Sequence, residues 1–344
     1  MKKIKKSVKI IIAVALVIVL LLASGVIFYL SKLNLIKFSN GKFTWNGSPD
    51  MSDSETLDEE SRMNDAIAGL EEKDAIDATG EIYKDKRFLN ILLIGTDERA
   101  ENFSENARGD SCMIMSIGKK DGSVKLASLE RGMGVPILEG KYKGQYDWLT
   151  HTFRYGGADL MMREVRECFK VDVERYIRVN FTTFKKGIDS VGGIDINLTA
   201  AEAAYVNGET NRKIYIAGTN HLDSNAALSY ARCRHIDSDW HRIERQRNVI
   251  QAVVTKTKDL SVGELNTLLN NVLPLVQTNL TRLEITELLL SAPKYRGVQI
   301  KQMTVPISGS YGGMRGLGGR SLFSVDFDTN AKALREFIYG VTTE

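Results

Sequence analysis

Five arginines stand within eighteen positions of the stretch YARCRHIDSDWHRIERQR, residues 230–247: Arg232, Arg234, Arg242, Arg245 and Arg247. Only Asp237, Asp239 and Glu244 oppose them, so the stretch is not an ordinary charge-balanced helix face. Arg232 and Arg234 are two apart just past a predicted helix, and extended backbone turns both to one side and Cys233 to the other. Arg242, Arg245 and Gln246 follow at i, i+3 and i+4 of a second helix, capped by Asp239, and share one of its faces. Ile243, Ile250 and Val254 line a different face, toward a core. Guanidinium groups bind phosphate oxygens in planar, bidentate fashion, and a helix N-terminus favours anions. A pyrophosphate carrying a bound cation suits this array. The alternative is a surface ion-pair network, and Arg245 and Arg247 are the arginines best explained that way. Nucleic acid fits less well, because no extended basic face with interleaved aromatics accompanies the arginines.

A second constellation needs only the direction of three strands. FLNILLIG is an almost continuous apolar run, the mark of a strand buried on both faces. SCMIMSI and VKLASLER follow it, separated from one another by the turn-like GKKDGS. Read as an antiparallel meander, the first strand leaves the sheet at Asp97, the second enters after Asp110, and the third leaves at Arg131. All three residues then meet at one end of the sheet, where sheet proteins of this kind bind ligands. Two converging carboxylates suit a hard cation such as Mg²⁺, whose shell is completed by waters and phosphate oxygens. Gly95 and Gly109 let backbone approach closely. The plainer alternative is that Asp97 and Asp110 cap turns.

The elements that position these residues are spread along 344 residues, enough for one large core with appendages. The chain opens with five lysines in MKKIKKSVK, and residues 10–30 then carry no charge. At about 1.5 Å per residue this run spans roughly 31 Å, the thickness of a bilayer's hydrocarbon core. Residues 1–9 therefore read as a cytoplasmic basic tail and 10–30 as a transmembrane anchor that holds the rest outside the cytoplasm. A cleaved signal peptide is the rival reading, although its apolar core is usually shorter. Residues 31–86 read as an acidic linker, since Asp50 to Lys86 holds thirteen Asp and Glu against four Lys and Arg. The linker is expected to carry a short helix around SRMNDAIAGLEEKDAI, and a stalk packed on the main domain is the alternative. Three scattered cysteines, Cys112, Cys168 and Cys233, make neither a disulfide framework nor a metal motif.

Residues 87–344 read as the main domain. Helices are expected at GADLMMREVRECF, TTFKKGIDSV, SNAALSYA, Trp240 to Lys258, VGELNTLLNNVLPLVQTNL, TRLEITELLLSA and DTNAKALREFIYG. Further strands fall at ERYIRVNF, GGIDINL and VQIKQMTVP, the last followed by a Gly-rich loop. Helices interleaved with strands predict a mixed α/β fold: a central mixed β-sheet flanked by helices, forming an extracytoplasmic domain behind one N-terminal transmembrane helix.

The pieces NILLIGTDER, RGDS, SLER, FRYGGADL, VNFTTFKKGIDSVGGIDI, AGTNHLDSNAALSYARCRHIDSDWHRIERQR and VLPLVQTNL occur here in an order that resembles the LytR–CpsA–Psr (LCP) family of bacterial cell-envelope proteins. They cover roughly Phe88 to Leu280. The resemblance implies a phosphotransferase that moves a glycopolymer, a teichoic acid or capsular polysaccharide, from an undecaprenyl-pyrophosphate carrier to peptidoglycan through a phosphodiester. By motif, Asp97 and Asp110 are the implied Mg²⁺ ligands, and Arg131, Arg232, Arg234, Arg242 and Gln246 the implied pyrophosphate contacts. Asp97 and Arg131 are the implied catalytic residues, and the polyprenyl tail is expected in an apolar tunnel between helices and sheet. Two positions depart from the family pattern. Its usual Arg-Asp is Arg131-Gly132 here, which removes a carboxylate beside the site, and its usual acidic residue at the next strand end is Asn180. Hydrolysis of the lipid pyrophosphate and noncatalytic binding of glycan or polyprenyl pyrophosphate are the alternative functions.

Overall fold

The computed structural model describes residues 31–43, 54–98, 103, 107–234 and 236–341. The basic tail and the anchor expected at residues 1–30 lie outside the described residues. No helix among the described residues is long and apolar enough to cross a membrane.

The edge strand β1 (Lys37–Phe38) and helix α1 (Ser54–Ile67) precede the predicted meander, which forms as β2 (Phe88–Gly95), β3 (Ser111–Gly118) and β4 (Val124–Leu129). A short hairpin, β5 (Gly134–Pro136) with β6 (Tyr146–Trp148), leads into α2 (Leu149–Phe169). The chain continues through β7 (Arg175–Val179), α3 (Phe181–Ser190), β8 (Ile194–Leu198), α4 (Ala200–Thr210), β9 (Gly218–Leu222) and α5 (Ser224–Arg232). It then forms α6 (Asp239–Lys256), α7 (Val262–Val272), β10 (Gln277–Thr278), α8 (Arg282–Tyr295) and β11 (Lys301–Val305). The hairpin of β12 (Tyr311–Arg315) and β13 (Ser321–Val325) and helix α9 (Phe327–Tyr339) complete it.

Seven strands form the central sheet in the order β1-β10-β7-β2-β3-β4-β11. β3 runs antiparallel to β2 and β4, whereas β7 pairs parallel with β2 and β11 parallel with β4, so the sheet is mixed. Alternation along β2 explains why it is apolar throughout. Leu92 and Ile94 pack with α2 and α9 on one side, while Ile91 and Leu93 meet apolar residues of α8 on the other. A second apolar cluster joins α3, α4, α5 and the β8–β9 hairpin to Val249 of α6.

The described residues within 31–86 are not a solvated linker. Leu33 and Ile36 are buried, β1 is a strand of the sheet, and Met63 belongs to the main core. Glu72, Ile76 and Tyr83 make β-bridges to Gly313, Asp326 and Val171. The acidic composition is real but lies on the outward face, while a few apolar residues and one glutamate turn inward. The predicted α2 also starts earlier than its pattern suggested and kinks at Gly156–Gly157. Gly157 has φ +72°, and a Cβ there would overlap the Gly41 carbonyl oxygen, so this close backbone approach needs glycine. Two further expectations are corrected. The predicted helix over VGELNTLLNNVLPLVQTNL ends at Val272, where Pro274 interrupts it, and Gln277–Thr278 form a strand beside β7. The Gly-rich segment is the β12–β13 hairpin rather than a loop.

Glu164 of α2 is fully buried, with Oε1 accepting from the Leu138 amide at 3.3 Å. Burial pushes its carboxyl up to about 8. In the unfolded chain a glutamate titrates near 4.3. Between these two values the native state holds the extra proton, so wild-type stability falls as pH rises through that window. Glu164→Gln is expected to gain a few kcal/mol relative to wild type between pH 5 and pH 9, read as Tm against pH. A constant difference across that range would contradict it.

Candidate active site

The strand register brings the two carboxylates together. Gly95 pairs with Ser111 and Cys112 with Leu129, so β2, the start of β3 and the end of β4 share one sheet edge. Asp97 and Asp110 flank Arg108, whose Nη2 lies 3.5 Å from Asp97 Oδ2 and whose Nε lies 3.8 Å from Asp110 Oδ1. The Arg108 amide also donates to Asp97 Oδ1 at 3.3 Å. Burial, and then the charge of Asp110, push the Asp97 carboxyl above its ordinary range. Asp110 Oδ1 is buried without a hydrogen-bond partner among the described residues. Two half-buried carboxylates that repel each other, one with an orphaned oxygen, fit a hard cation. Among the described residues no three His, Cys, Asp or Glu side chains converge as a metal site. Two protein carboxylates suffice for Mg²⁺ when phosphate oxygens and waters supply the rest. Arg108 was missed from sequence, although its i, i+2 relation to Asp110 in extended backbone was a usable signal.

Arg131 lies in the turn after β4 and is nearly buried. Its Nε donates to Asp239 at 3.1 Å and its Nη1 to Glu59 at 2.7 Å, with Asp110 3.8 Å from Nη1. Burial alone depresses a guanidinium, but Asp239, Glu59 and Asp110 outweigh it and raise Arg131 well above its ordinary value. Asp239 does not cap α6, as the sequence suggested. Ser238 is the cap residue, and Asp239 in the first turn turns its carboxylate to Arg131 and Arg242. Arg242 Nη2 donates to the Asp110 carbonyl at 3.0 Å, while its Nε is buried without a partner among the described residues. Burial and then the charge of Arg131 lower Arg242. Gln246 accepts from the Ser111 hydroxyl at 2.9 Å. Arg232, at the end of α5, is exposed and lies 4.9 Å above the Phe181 ring. The sites at the ends of β2, β4 and α5 thus come together with the face of α6.

The remaining two arginines of the stretch serve the fold. Arg245 binds Glu202 at 2.6 Å, Asp237, and the Cys233 carbonyl at 2.9 Å. Arg247 donates to Gln302 and Thr304 of β11. Removing one member of a buried pair strands the other. Arg245→Ala is therefore expected to cost about 3 kcal/mol in denaturant unfolding. A loss below half of that would show that water reaches the pair. Asn180, the departure from the family's acidic residue, caps α3 by accepting from the Thr183 amide at 3.0 Å.

Two cavities meet at these arginines. One, of about 450 Å³, lies between the sheet and the second cluster, with Leu93, Met113 and Ile177 on one side and Phe181, Phe184 and Leu228 on the other. Arg232, Arg234, Arg242, Gln246 and Asp110 also line it. The other, of about 570 Å³, is lined by Glu59, Arg131, Gly132, Asp239 and Trp240. Arg234 borders both. No sequence signal marked the first cavity, because its lining reads as ordinary core.

Residues 52–335 match the LytR_cpsA_psr family. A relative in Bacillus mycoides, polyisoprenyl-teichoic acid–peptidoglycan teichoic acid transferase TagU, is 34% identical over 197 residues, which are 56% of this chain and 61% of the relative. The chain thus spans about three-fifths of that relative's length. The structure of TagT bound to LIIa-WTA superposes with a TM-score of 0.59 at 25% identity, covering 78% of this chain and 97% of that one. A protein from Streptococcus agalactiae, gbs0355, shares the fold with a TM-score of 0.63 at 23% identity, over 75% of this chain and 90% of that one. With most of its length inside the family match and the same mixed sheet beneath it, the chain belongs to the LytR–CpsA–Psr family.

Proposed function

We propose that this protein transfers a phospho-glycopolymer from an undecaprenyl-pyrophosphate carrier to peptidoglycan, forming a phosphodiester. One juxtaposition supports the reading above all others: an apolar cavity is bordered by Arg232, Arg234, Arg242 and Gln246, beside the paired carboxylates Asp97 and Asp110. An apolar chain fits the cavity, and a pyrophosphate fits the donors. The named activity of the Bacillus relative agrees with this chemistry.

The acceptor hydroxyl attacks the phosphorus next to the glycan. The new P–O bond forms as the bond to the bridging pyrophosphate oxygen breaks, and undecaprenyl phosphate leaves. Phosphoryl transfer depends mainly on positioning and charge neutralisation. Arg131 stabilises the transferring phosphoryl oxygens, and Arg232, Arg234, Arg242 and Gln246 hold the pyrophosphate. Asp97 and Asp110 would hold Mg²⁺, which supplies further charge neutralisation when bound. Asp97 acts here as a cation ligand, since a carboxylate on a metal is a poor base, and the hydroxyl proton leaves to water. Residues 10–30 are proposed as a single membrane span, with the N-terminus cytoplasmic and the catalytic domain outside.

The test incubates the purified full chain with a lipid-pyrophosphate-linked glycan and peptidoglycan and measures glycan bound covalently to the wall. Wall-bound product that disappears on chelation and returns with Mg²⁺ is the expected result. Release of free glycan with none wall-bound would mean hydrolysis instead. Transfer untouched by chelation would remove the role given to Asp97 and Asp110.

A further inference from the structure

Gly132 leaves the position after Arg131 without a side chain, and helix α1 fills the space. A Cβ at Gly132 would overlap Met63 Cε, and Met63 is packed into the main core. Glu59 stands one helical turn before Met63, on the same face. Its Oε1 accepts from Arg131 Nη1 at 2.7 Å and from Arg234 Nη1 at 3.0 Å, so one carboxylate oxygen ties two guanidinium groups together. The Glu59 side chain is 2% exposed, which is the burial of a core group on a segment of otherwise acidic, solvent-facing composition. Burial raises its carboxyl, and the charges of Arg131, Arg108 and Arg234 outweigh that effect and hold it at about 2. It is therefore ionised wherever the protein works.

We propose that Glu59 is a positioning residue for the phosphate clamp, supplying from α1 the carboxylate that residue 132 lacks. The inference rests on the reading of the arginines as pyrophosphate contacts. Glu59 and Asp239 hold Arg131 by Nη1 and Nε, which leaves Nη2 for a phosphoryl oxygen. Arg131 and Arg234 carry like charges, and the shared carboxylate offsets their repulsion and fixes their mutual orientation. Glu59 and Arg131 border the second cavity, Arg232, Arg242 and Gln246 the first, and Arg234 both, so the shared carboxylate links arginines of the two cavities.

Glu59→Gln keeps the shape and removes the charge. Assayed as the full chain, it is expected to lower kcat for transfer about 10- to 100-fold, the scale of a misplaced catalytic group, while donor KM changes less than threefold. Thermal unfolding monitors the fold. A second variant, Glu59→Gln with Met63→Ala and Gly132→Asp, returns a carboxylate beside Arg131 in the space that Met63 vacates. It is expected to recover at least tenfold of the lost kcat. Wild-type or raised kcat in Glu59→Gln overturns the proposal, the raised value making Glu59 an occupant of the anion site. A folded triple variant with no recovery overturns it as well. If Arg232→Ala loses transfer while Glu59→Gln does not, only this inference falls; if neither loses transfer, the clamp reading falls with it.

Discussion

Arg232→Ala is expected to lower glycopolymer transfer about 10²- to 10³-fold while leaving the fold intact. The two halves of that expectation have separate causes. Arg232 is exposed at the end of α5 and, among the described residues, makes no ion pair; its recorded partner is the face of Phe181 at 4.9 Å. An exposed cation–π contact contributes only about 0.5–1 kcal/mol, so Tm should hardly move. The proposed pyrophosphate, by contrast, would lose a bidentate donor at the border of the apolar cavity. Arg131→Ala cannot separate the effects, because it would strand the buried Glu59 and Asp239. Wild-type transfer by Arg232→Ala, measured as wall-bound glycan per folded molecule, would end the pyrophosphate reading of the first cavity.

Asp110→Asn is the second large effect. On the proposed function, a cation held here would contribute several kcal/mol of charge stabilisation, so its loss is expected to cost about 10³-fold or more in rate. Stability without ligand should fall only modestly, because Asp110 lies 3.8 Å from Arg108 and Arg131 and pairs with neither side chain at hydrogen-bond distance. Asp110 Oδ1 has no hydrogen-bond partner among the described residues, and its charge disfavours ionisation of Asp97. Thermal unfolding reads the cation directly. At a hundredfold excess over Kd, Mg²⁺ with inorganic pyrophosphate should stabilise the wild type by about 2.7 kcal/mol and the variant by far less. An equal Mg²⁺-dependent shift in both proteins would place the cation elsewhere.

The departure at residue 132 shows how sequence and structure divide the information. Gly132 reads in the sequence as a missing carboxylate, a local deficit. In the structure the same glycine is the socket for Met63, and α1 brings Glu59 to the arginine across seventy-two positions of chain. Composition misread that segment, because thirteen acidic residues average to a solvated linker while the inward-facing ones are few. Met63 docks into the open space at Gly132 and Glu59 onto two guanidinium groups, neither of which is a property of residues 54–67 themselves.

What the sequence determined by itself is what local periodicity and strand direction can carry. The apolar run of β2 and the turn between β3 and β4 pointed to a meander, which formed, and a meander puts Asp97, Asp110 and Arg131 at one sheet end whatever the rest of the chain does. The spacing of Arg242 and Gln246 placed both on one helix face, where both line the same cavity. The sequence set Arg245 and Arg247 apart as paired neighbours, but the tertiary structure decided how they are held, through the partners that α4, the turn before α6, and β11 bring to them. The tertiary structure alone made the apolar cavity. Leu93, Ile177 and Phe184 are chemically indistinguishable from core residues, and a cavity exists only where distant elements fail to close upon one another.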